Sequence, residues 1–349
     1  MIDVTDDGRR FAADFARLAQ GVGSPLLAVS GGPDSMAMLT LAHEALGTGF
    51  TVASIDHRLR PEAAEESAMV ARHCATLGIA HATLAPSVPI AGASIQAQAR
   101  TARYALLAGH ARAIGAGCIV TAHHADDQAE TFLMRAARGS GLAGLAGVRA
   151  RTEVAGVAVI RPLLDWRRAE LRAIVRRAEV PFFDDPSNQD DRHDRTRFRR
   201  LLDANEWLGT PNLARAAAAL AEADADVRAM VEWLWSDRAK VAGGEVRLSV
   251  GALPREVLRR LVRHAIGIVR AEMAGAAIPD GAVDHPRGGS RGRMEQRGQH
   301  REAARRADGG EARHAGRCHR IAPRRRMAVP PGAATTHSLR PEPLRRAPS

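Results

Sequence analysis

Leu26-Leu27-Ala28-Val29-Ser30-Gly31-Gly32-Pro33-Asp34-Ser35 is an apolar run that breaks into a glycine pair, a proline and an acid, and the Met36–Leu46 segment after it reads as helix. A strand that turns through two glycines into a helix can aim successive backbone N–H groups at one anion, because glycine tolerates positive φ and lets a ligand approach closely. Ser30 and Ser35 add hydroxyl donors. A Walker-type loop would close on Gly-Lys-Ser/Thr, and no lysine is present here. Asp34 stands in that region instead. A carboxylate beside phosphates repels them unless a cation lies between, so the stretch implies a phosphate cradle that handles a pyrophosphate unit with Mg²⁺ on Asp34. A strand-turn-helix whose glycines serve packing alone is the plainer alternative.

Beyond the cradle the chain alternates. Thr51–Ile55, His81–Leu84, Cys118–Ala122 and Val157–Ile160 read as strands, and Glu62–Leu77, Ser94–Ile114, Ala125–Arg138 and Asp165–Ala178 as helices. Strands separated by helices of this length predict an α/β fold with a parallel, doubly wound sheet, whose ligands bind beyond the carboxyl ends of the strands. Polar residues gather at those ends: Ser30 after the first strand, Asp56-His57 after the second, His123-His124 after a later one.

Asp56-His57-x-Leu59-Arg60 is compatible equally with nucleotide recognition at a strand end and with a polar turn capping a helix. The stretch His123-His124-Ala125-Asp126-Asp127-Gln128-Ala129-Glu130-Thr131 is denser. Capping and the helix dipole account for one acid at a helix start, at ~0.3–1 kcal/mol. They do not account for two histidines, two aspartates and Glu130 directly after a buried strand. A zinc site is not indicated, since His-Glu-x-x-His is absent. Arg100 and Arg103 lie three apart on one helix face with Tyr104, and two guanidiniums there suit a phosphate or developing anion as well as a solvated face. Gly139–Gly144 reads as a flexible loop able to approach substrate. Asp184–Asp191, followed by Arg195, Arg197, Arg199 and Arg200, reads either as a solvated linker or as a gate that meets RNA.

The Ser-Gly-Gly-x-Asp-Ser pattern after a strand resembles the PP-loop of the N-type ATP pyrophosphatases, which cut ATP between its α and β phosphates and adenylate an oxygen of their substrate. Taken with Asp-His-x-Leu-Arg, Ala99-Arg100-x-x-Arg103-Tyr104, Thr121-Ala122-His123-His124-x-Asp126-Asp127-Gln128-x-Glu130-Thr131, Arg161-Pro162-Leu163-Leu164 and Asp185-Pro186-Ser187-Asn188-x-Asp190, the chain resembles the tRNA(Ile)-lysidine synthases over roughly residues 24–200. The resemblance implies a cytoplasmic ligase that uses ATP and Mg²⁺. Its partners would be an isoleucine tRNA with a CAU anticodon and free L-lysine, with no membrane; oligomeric state is not implied. ATP would adenylate the 2-position oxygen of the wobble cytidine, and the amine of lysine would displace AMP. By position, Ser30, Gly31, Gly32, Pro33, Asp34, Ser35, Asp56 and His57 would bind ATP, with Asp34 on the metal. Asp34, Arg100, Asp126 and Glu130 would be catalytic, and Arg103, His123, His124 and Asp127 would bind substrate. The family's Arg-Asn-x-aliphatic-Arg is replaced here by Arg195-Thr196-Arg197-Phe198-Arg199. The alternatives are another PP-loop tRNA-modifying enzyme, such as a cytidine thiolase, and a catalytically impaired RNA-binding remnant.

Composition bounds these readings. The 349 residues suffice for two domains, the acidic start Met1-Ile2-Asp3 is unlike a signal peptide, and no apolar run approaches the ~20 residues of a membrane helix. Cys74, Cys118 and Cys318 are scattered, with no Cys-x-x-Cys pair of the kind thiolases use. Of the net charge of +11, the segment 276–349 carries +9, from 16 Arg against 7 Asp and Glu, and it has no Phe, Trp, Tyr or Lys. The expected organisation is a catalytic domain over 1–200, a helical tRNA-contacting domain over 201–275 built on Asn212–Trp235 and Leu253–Arg270, and a tail over 276–349 that is disordered or out of frame.

Overall fold

The computed structural model describes residues 5–57, 62–88, 95–184, 194–242, 245–273 and 336–339. By compactness the chain divides into Met1–Asp226 and Val227–Ser349.

In the first unit, strands β1 (Pro25–Ala28), β2 (Thr51–Ile55), β3 (His81–Leu84), β4 (Cys118–Val120), β5 (Arg151–Val154) and β6 (Val157–Ile160) form a sheet in the order β3-β2-β1-β4-β6-β5. Five strands run parallel. The edge strand β5 departs from the expected all-parallel sheet: it pairs antiparallel with β6 through a turn at Ala155 and Gly156, whose φ values are 49° and 77°. Positive φ at both central residues matches the right-handed twist of a hairpin.

Alternation along each strand decides which face a side chain joins. Leu27, Val52, Cys118, Val120 and Ile160 pack in one core with α1 (Asp6–Leu18), α2 (Pro33–Leu46), α3 (Glu62–Thr76) and α7 (Arg168–Arg177). Leu26, Ala53, Ile119, Val157 and Val159 pack on the other face against α4 (Ile95–Ala113). The sheet is therefore covered on both sides, as a doubly wound fold requires. Helix α1, unread in the sequence, starts where Thr5 Oγ1 accepts the Gly8 N–H at 3.0 Å and places Phe11 in the core.

After α5 (Ala125–Ala137), the expected flexible glycine loop is instead a pinned turn containing α6 (Leu142–Leu145). Arg135 Nη1 donates to the Gly144 carbonyl at 2.7 Å, and the Gln128 amide both donates to the Val148 carbonyl and accepts its N–H, each at 2.7 Å. Helix α8 (Asp194–Asp203) follows, with Thr196 buried where the family pattern has asparagine. Leu59, Arg60, Ser94 and the Asp185–Asp190 block lie outside the described residues.

The 29-residue helix α9 (Thr210–Arg238) leads into the second unit. There a hairpin of β7 (Ala239–Ala242) and β8 (Glu245–Ser249) precedes α10 (Arg255–Met273), and Val231, Leu234, Trp235, Val246, Leu248 and Leu261 form its core. Of the tail, Thr336–Leu339 is described as a strand, β9, antiparallel to β8. The reading of that segment as unable to fold does not anticipate it. The rest of 276–349 lies outside the described residues.

Strand β1 sits between β2 and β4, so the order reverses there, and a crevice opens beyond the carboxyl ends of β1 and β4. Close backbone contact sets the opposite end: a Cβ on Gly117 would lie 2.8 Å from Gly23 Cα, whereas one on Gly23 meets nothing nearer than 3.9 Å. Gly117→Ala should lower stability by about 1–3 kcal/mol in urea denaturation, and Gly23→Ala should leave it unchanged.

Candidate active site

The cradle is built by its own backbone. Gly31 takes φ +86°, and a Cβ there would press on Met69 and Glu66 at 3.4–3.5 Å. The Ser30 N–H donates to Ser35 Oγ at 3.1 Å, and Ser35 Oγ donates to the Gly32 carbonyl at 2.9 Å. Gly32 caps α2 without a side chain and Pro33 occupies the first turn, so the N–H groups opening that helix are left for an anion.

Asp34, in the same turn, accepts from His124 Nε2 at 3.3 Å through Oδ2, while its Oδ1 is buried with no hydrogen-bond partner. Among the described residues no cluster of three acidic, histidine or cysteine side chains can hold a metal. A single carboxylate with an orphaned oxygen fits Mg²⁺, which takes most of its shell from phosphate and water.

His124 ends the strand side and begins α5. Its backbone N–H donates to Asp127 Oδ2 at 3.2 Å, and its ring nitrogens lie 3.6 Å from Asp126 and 3.7 Å from Asp127. Burial works against a charge on His124, but Asp127 and Asp34 outweigh it and raise its pKa. For Asp127, burial favours the protonated acid, yet His124 and Arg195 hold it down to about 2. His123, hydrogen-bonded to Thr121 Oγ1 at 3.0 Å, behaves oppositely: burial, aided by Arg161 and Arg103 against the pull of Asp127, pushes it down to about 3. The pKa values of two adjacent histidines are thus driven in opposite directions.

The other two acids of the motif face arginines. Asp126 Oδ2 accepts the Arg168 N–H at 2.7 Å and the Arg167 guanidinium at 3.3 Å, anchoring the start of α7. Glu130, 1% exposed, accepts from Arg168 at 2.7 Å, Arg195 at 2.8 Å and Arg199 at 2.9 Å. Arg195 also donates to Asp127 Oδ1 at 2.9 Å, so three guanidiniums share two carboxylates and one positive charge is left beside the crevice.

That crevice holds a cavity of ≈ 470 Å³. Ser30, Gly32, Pro33, Asp34, Ser35, His57, Arg100, Arg103, His123 and Asp127 border it, as expected from sequence. Gly31, Asp56, His124, Asp126 and Glu130 do not; they stand behind it and shape or charge the residues that do. Arg168, Arg172, Arg195 and Arg199 also border it, and the sequence did not single them out as site residues. For Arg195 and Arg199 the signal was the basic run after the acidic segment; Arg168 and Arg172, on α7 before that segment, had none.

Arg100 and Arg103 lie 5.4 and 5.5 Å from the Tyr104 ring, and neither has a carboxylate partner among the described residues. Burial and the neighbouring Arg100, Arg195 and Arg161 lower the Arg103 pKa, which its contact with Tyr104 opposes. Burial and Arg103 likewise lower that of His57. A cation held in this way is relieved by an anionic ligand. The arrangement can bind phosphates and neutralise a transferring phosphoryl group, while Asp127, at the cavity edge, is engaged by Arg195 at 2.9 Å and by His124.

A model of the PP-loop domain family matches residues 9–205. The chain is 47% identical over 267 residues to a tRNA(Ile)-lysidine synthase of Novosphingobium aromaticivorans, covering 74% of this chain and 81% of that protein. It is 42% identical to one of Zymomonas mobilis, covering 71% and 76%. Among solved structures it is similar in fold to a U34-tRNA thiolase from Methanococcus maripaludis with its 4Fe-4S cluster, at 15% identity and a TM-score of 0.51, over 62% of this chain and 79% of that one.

Glu130→Gln takes their carboxylate from Arg168 and Arg199 and leaves Arg195 only Asp127, and should cost about 3–5 kcal/mol in urea denaturation. For His123, the unfolded chain binds a proton below pH ~6.5 that the folded protein refuses until about 3, so its contribution to stability falls as pH drops through that window. His123→Gln should therefore narrow the Tm difference between pH 7 and pH 4.5.

Proposed function

The chain belongs to the PP-loop domain family and, within it, to the tRNA(Ile)-lysidine synthases, which are ligases, and from this membership and the cavity we propose that it joins free L-lysine to the 2-position carbon of the wobble cytidine in a CAU-anticodon isoleucine tRNA. The observation that carries the reading is the meeting, in one cavity, of a lysine-free phosphate cradle, an acid with an orphaned oxygen, and Arg100 and Arg103, which have no carboxylate partner among the described residues.

In this reading the N–H groups of the Ser30–Ser35 turn hold the pyrophosphate end of ATP, with Asp56 and His57 toward the nucleotide. Mg²⁺ on Asp34 would offset the negative charge of the phosphates. Arg100 and Arg103 neutralise charge on the α-phosphoryl oxygens as the 2-position oxygen of cytidine attacks and pyrophosphate leaves. The ε-amine of lysine, its proton released to solvent, then attacks the activated carbon, and AMP departs with the oxygen. Asp127, ionised throughout the physiological range, binds ammonium rather than serving as a proton store. Asp126 and Glu130 act through the arginines they hold.

Thiol transfer is not favoured. Cys74 and Cys118 are buried in the core, and burial pushes both thiols up to about 11. No helix among the described residues is long and apolar enough to cross a membrane. ATP, lysine and tRNA as substrates fit a cytoplasmic enzyme.

The test is transfer of labelled lysine to a CAU-anticodon isoleucine tRNA transcript with ATP and Mg²⁺. Incorporation with lysine-dependent pyrophosphate release is expected, and Asp34→Asn should lower it about 100-fold or more. ATP and tRNA binding without incorporation would instead indicate an impaired remnant.

A further inference from the structure

Helix α8 has two faces. Arg195 and Arg199, one turn apart, bond to buried Glu130 and border the cavity. Arg197 and Leu201 project from the opposite side, since residues advance ~100° each around a helix. Leu201 is 43% exposed, Arg197 and Arg200 are exposed, and Arg197 has no ion-pair partner among the described residues. The turn that ends the helix presents Trp207, 96% exposed.

An indole held almost wholly in water calls for a reason, because the aromatic ring gives up its apolar surface to nothing. Its neighbours in sequence, Asp203 and Glu206, are exposed and charged, so no broad apolar patch surrounds it of the size that marks a protein interface. An exposed π-face in the turn after a helix with exposed arginines is instead how proteins hold unpaired nucleotides, with bases stacking on the ring and phosphates meeting the cations. With Arg195 and Arg199 committed to Glu130, the exposed Arg197 and Arg200 are the cations that α8 offers outward to a phosphate. A nucleotide delivered into the cavity trails a strand on both sides, and α8 stands at the cavity edge with cationic side chains on both its faces.

We infer that the outer face of α8 and Trp207 form the docking surface for the single-stranded RNA flanking the reacting nucleotide, with one unstacked base on Trp207 and an adjacent phosphate on Arg197. This rests on the reading that the substrate is tRNA. Trp207 makes no contact with the cradle or the cavity, so its replacement tests RNA binding apart from the chemistry.

The experiment measures equilibrium binding of a CAU-anticodon isoleucine tRNA transcript to the full chain by filter retention, across a salt series and without turnover. Trp207→Ala should raise Kd about tenfold and Trp207→Phe should restore most of the affinity, because stacking needs a ring. Arg197→Ala should make the slope of log K against log salt shallower by about 0.7, the share of one single-strand phosphate. KM for ATP should not move in any of the three. An unchanged Kd in Trp207→Ala, or a dimer that dissociates in that variant while tRNA affinity holds, overturns the proposal. A parent that shows these binding changes but transfers no lysine overturns the proposed reaction and leaves the surface standing; a parent that binds no tRNA overturns both.

Discussion

The carboxylate of Glu130, sealed from water and shared by Arg168, Arg195 and Arg199, is the contact on which the site depends. A buried charge persists only when paired and hydrogen-bonded. Here one acid on α5 collects guanidiniums from α7 and α8. Asp126, one residue into the same helix, takes the first N–H of α7. The acids of the motif therefore act as a frame: they spend their charge on arginines, and the arginines face the ligand. With Glu130 and Asp127 set against three guanidiniums, the frame leaves one positive charge beside the cavity, which suits an anionic ligand.

The cradle follows the same logic with signs reversed. Where another phosphate-binding loop places a lysine, this one has an acid, held in orientation by a histidine whose pKa Asp127 and Asp34 raise. His124 occupies one oxygen of Asp34 and leaves the other for a cation. Next door His123 also feels Asp127, but burial together with Arg161 and Arg103 outweighs it and pushes its pKa down to about 3. Identical side chains one residue apart are driven in opposite directions by the balance of burial and charge around each.

Much of this was legible. The strands Thr51–Ile55, His81–Leu84 and Val157–Ile160 were read with their observed ends, because apolar β-branched runs of strand length have few other uses. Edge strand β5 was not, since Arg151–Val154 buries only one side and its Ala155-Gly156 turn lacks the Asn-Gly or Asp-Gly signature. The hairpin in the second unit escaped for a similar reason: Ala239–Ala242 is largely exposed and carries little pattern. The glycine-rich stretch after α5 was read as mobile, but its carbonyls bond to Arg135 and to the Gln128 side chain, partners that composition does not reveal.

The residue order by itself determined the cradle, the alternation of strands and helices, and the gathering of Ser30, His57, His123 and Asp127 at strand ends. Each rests on interactions within a few positions of the chain: a glycine's φ, a helix start, the period of a strand. Only the tertiary structure decided that Asp126 and Glu130 hydrogen-bond to arginines, and that Arg168, Arg195 and Arg199 are among the cations that border the cavity. An arginine on a helix looks the same in sequence whether it meets water or a buried acid. The acid that orders these three lies 38, 65 and 69 residues away, and only folding brings it within a hydrogen bond.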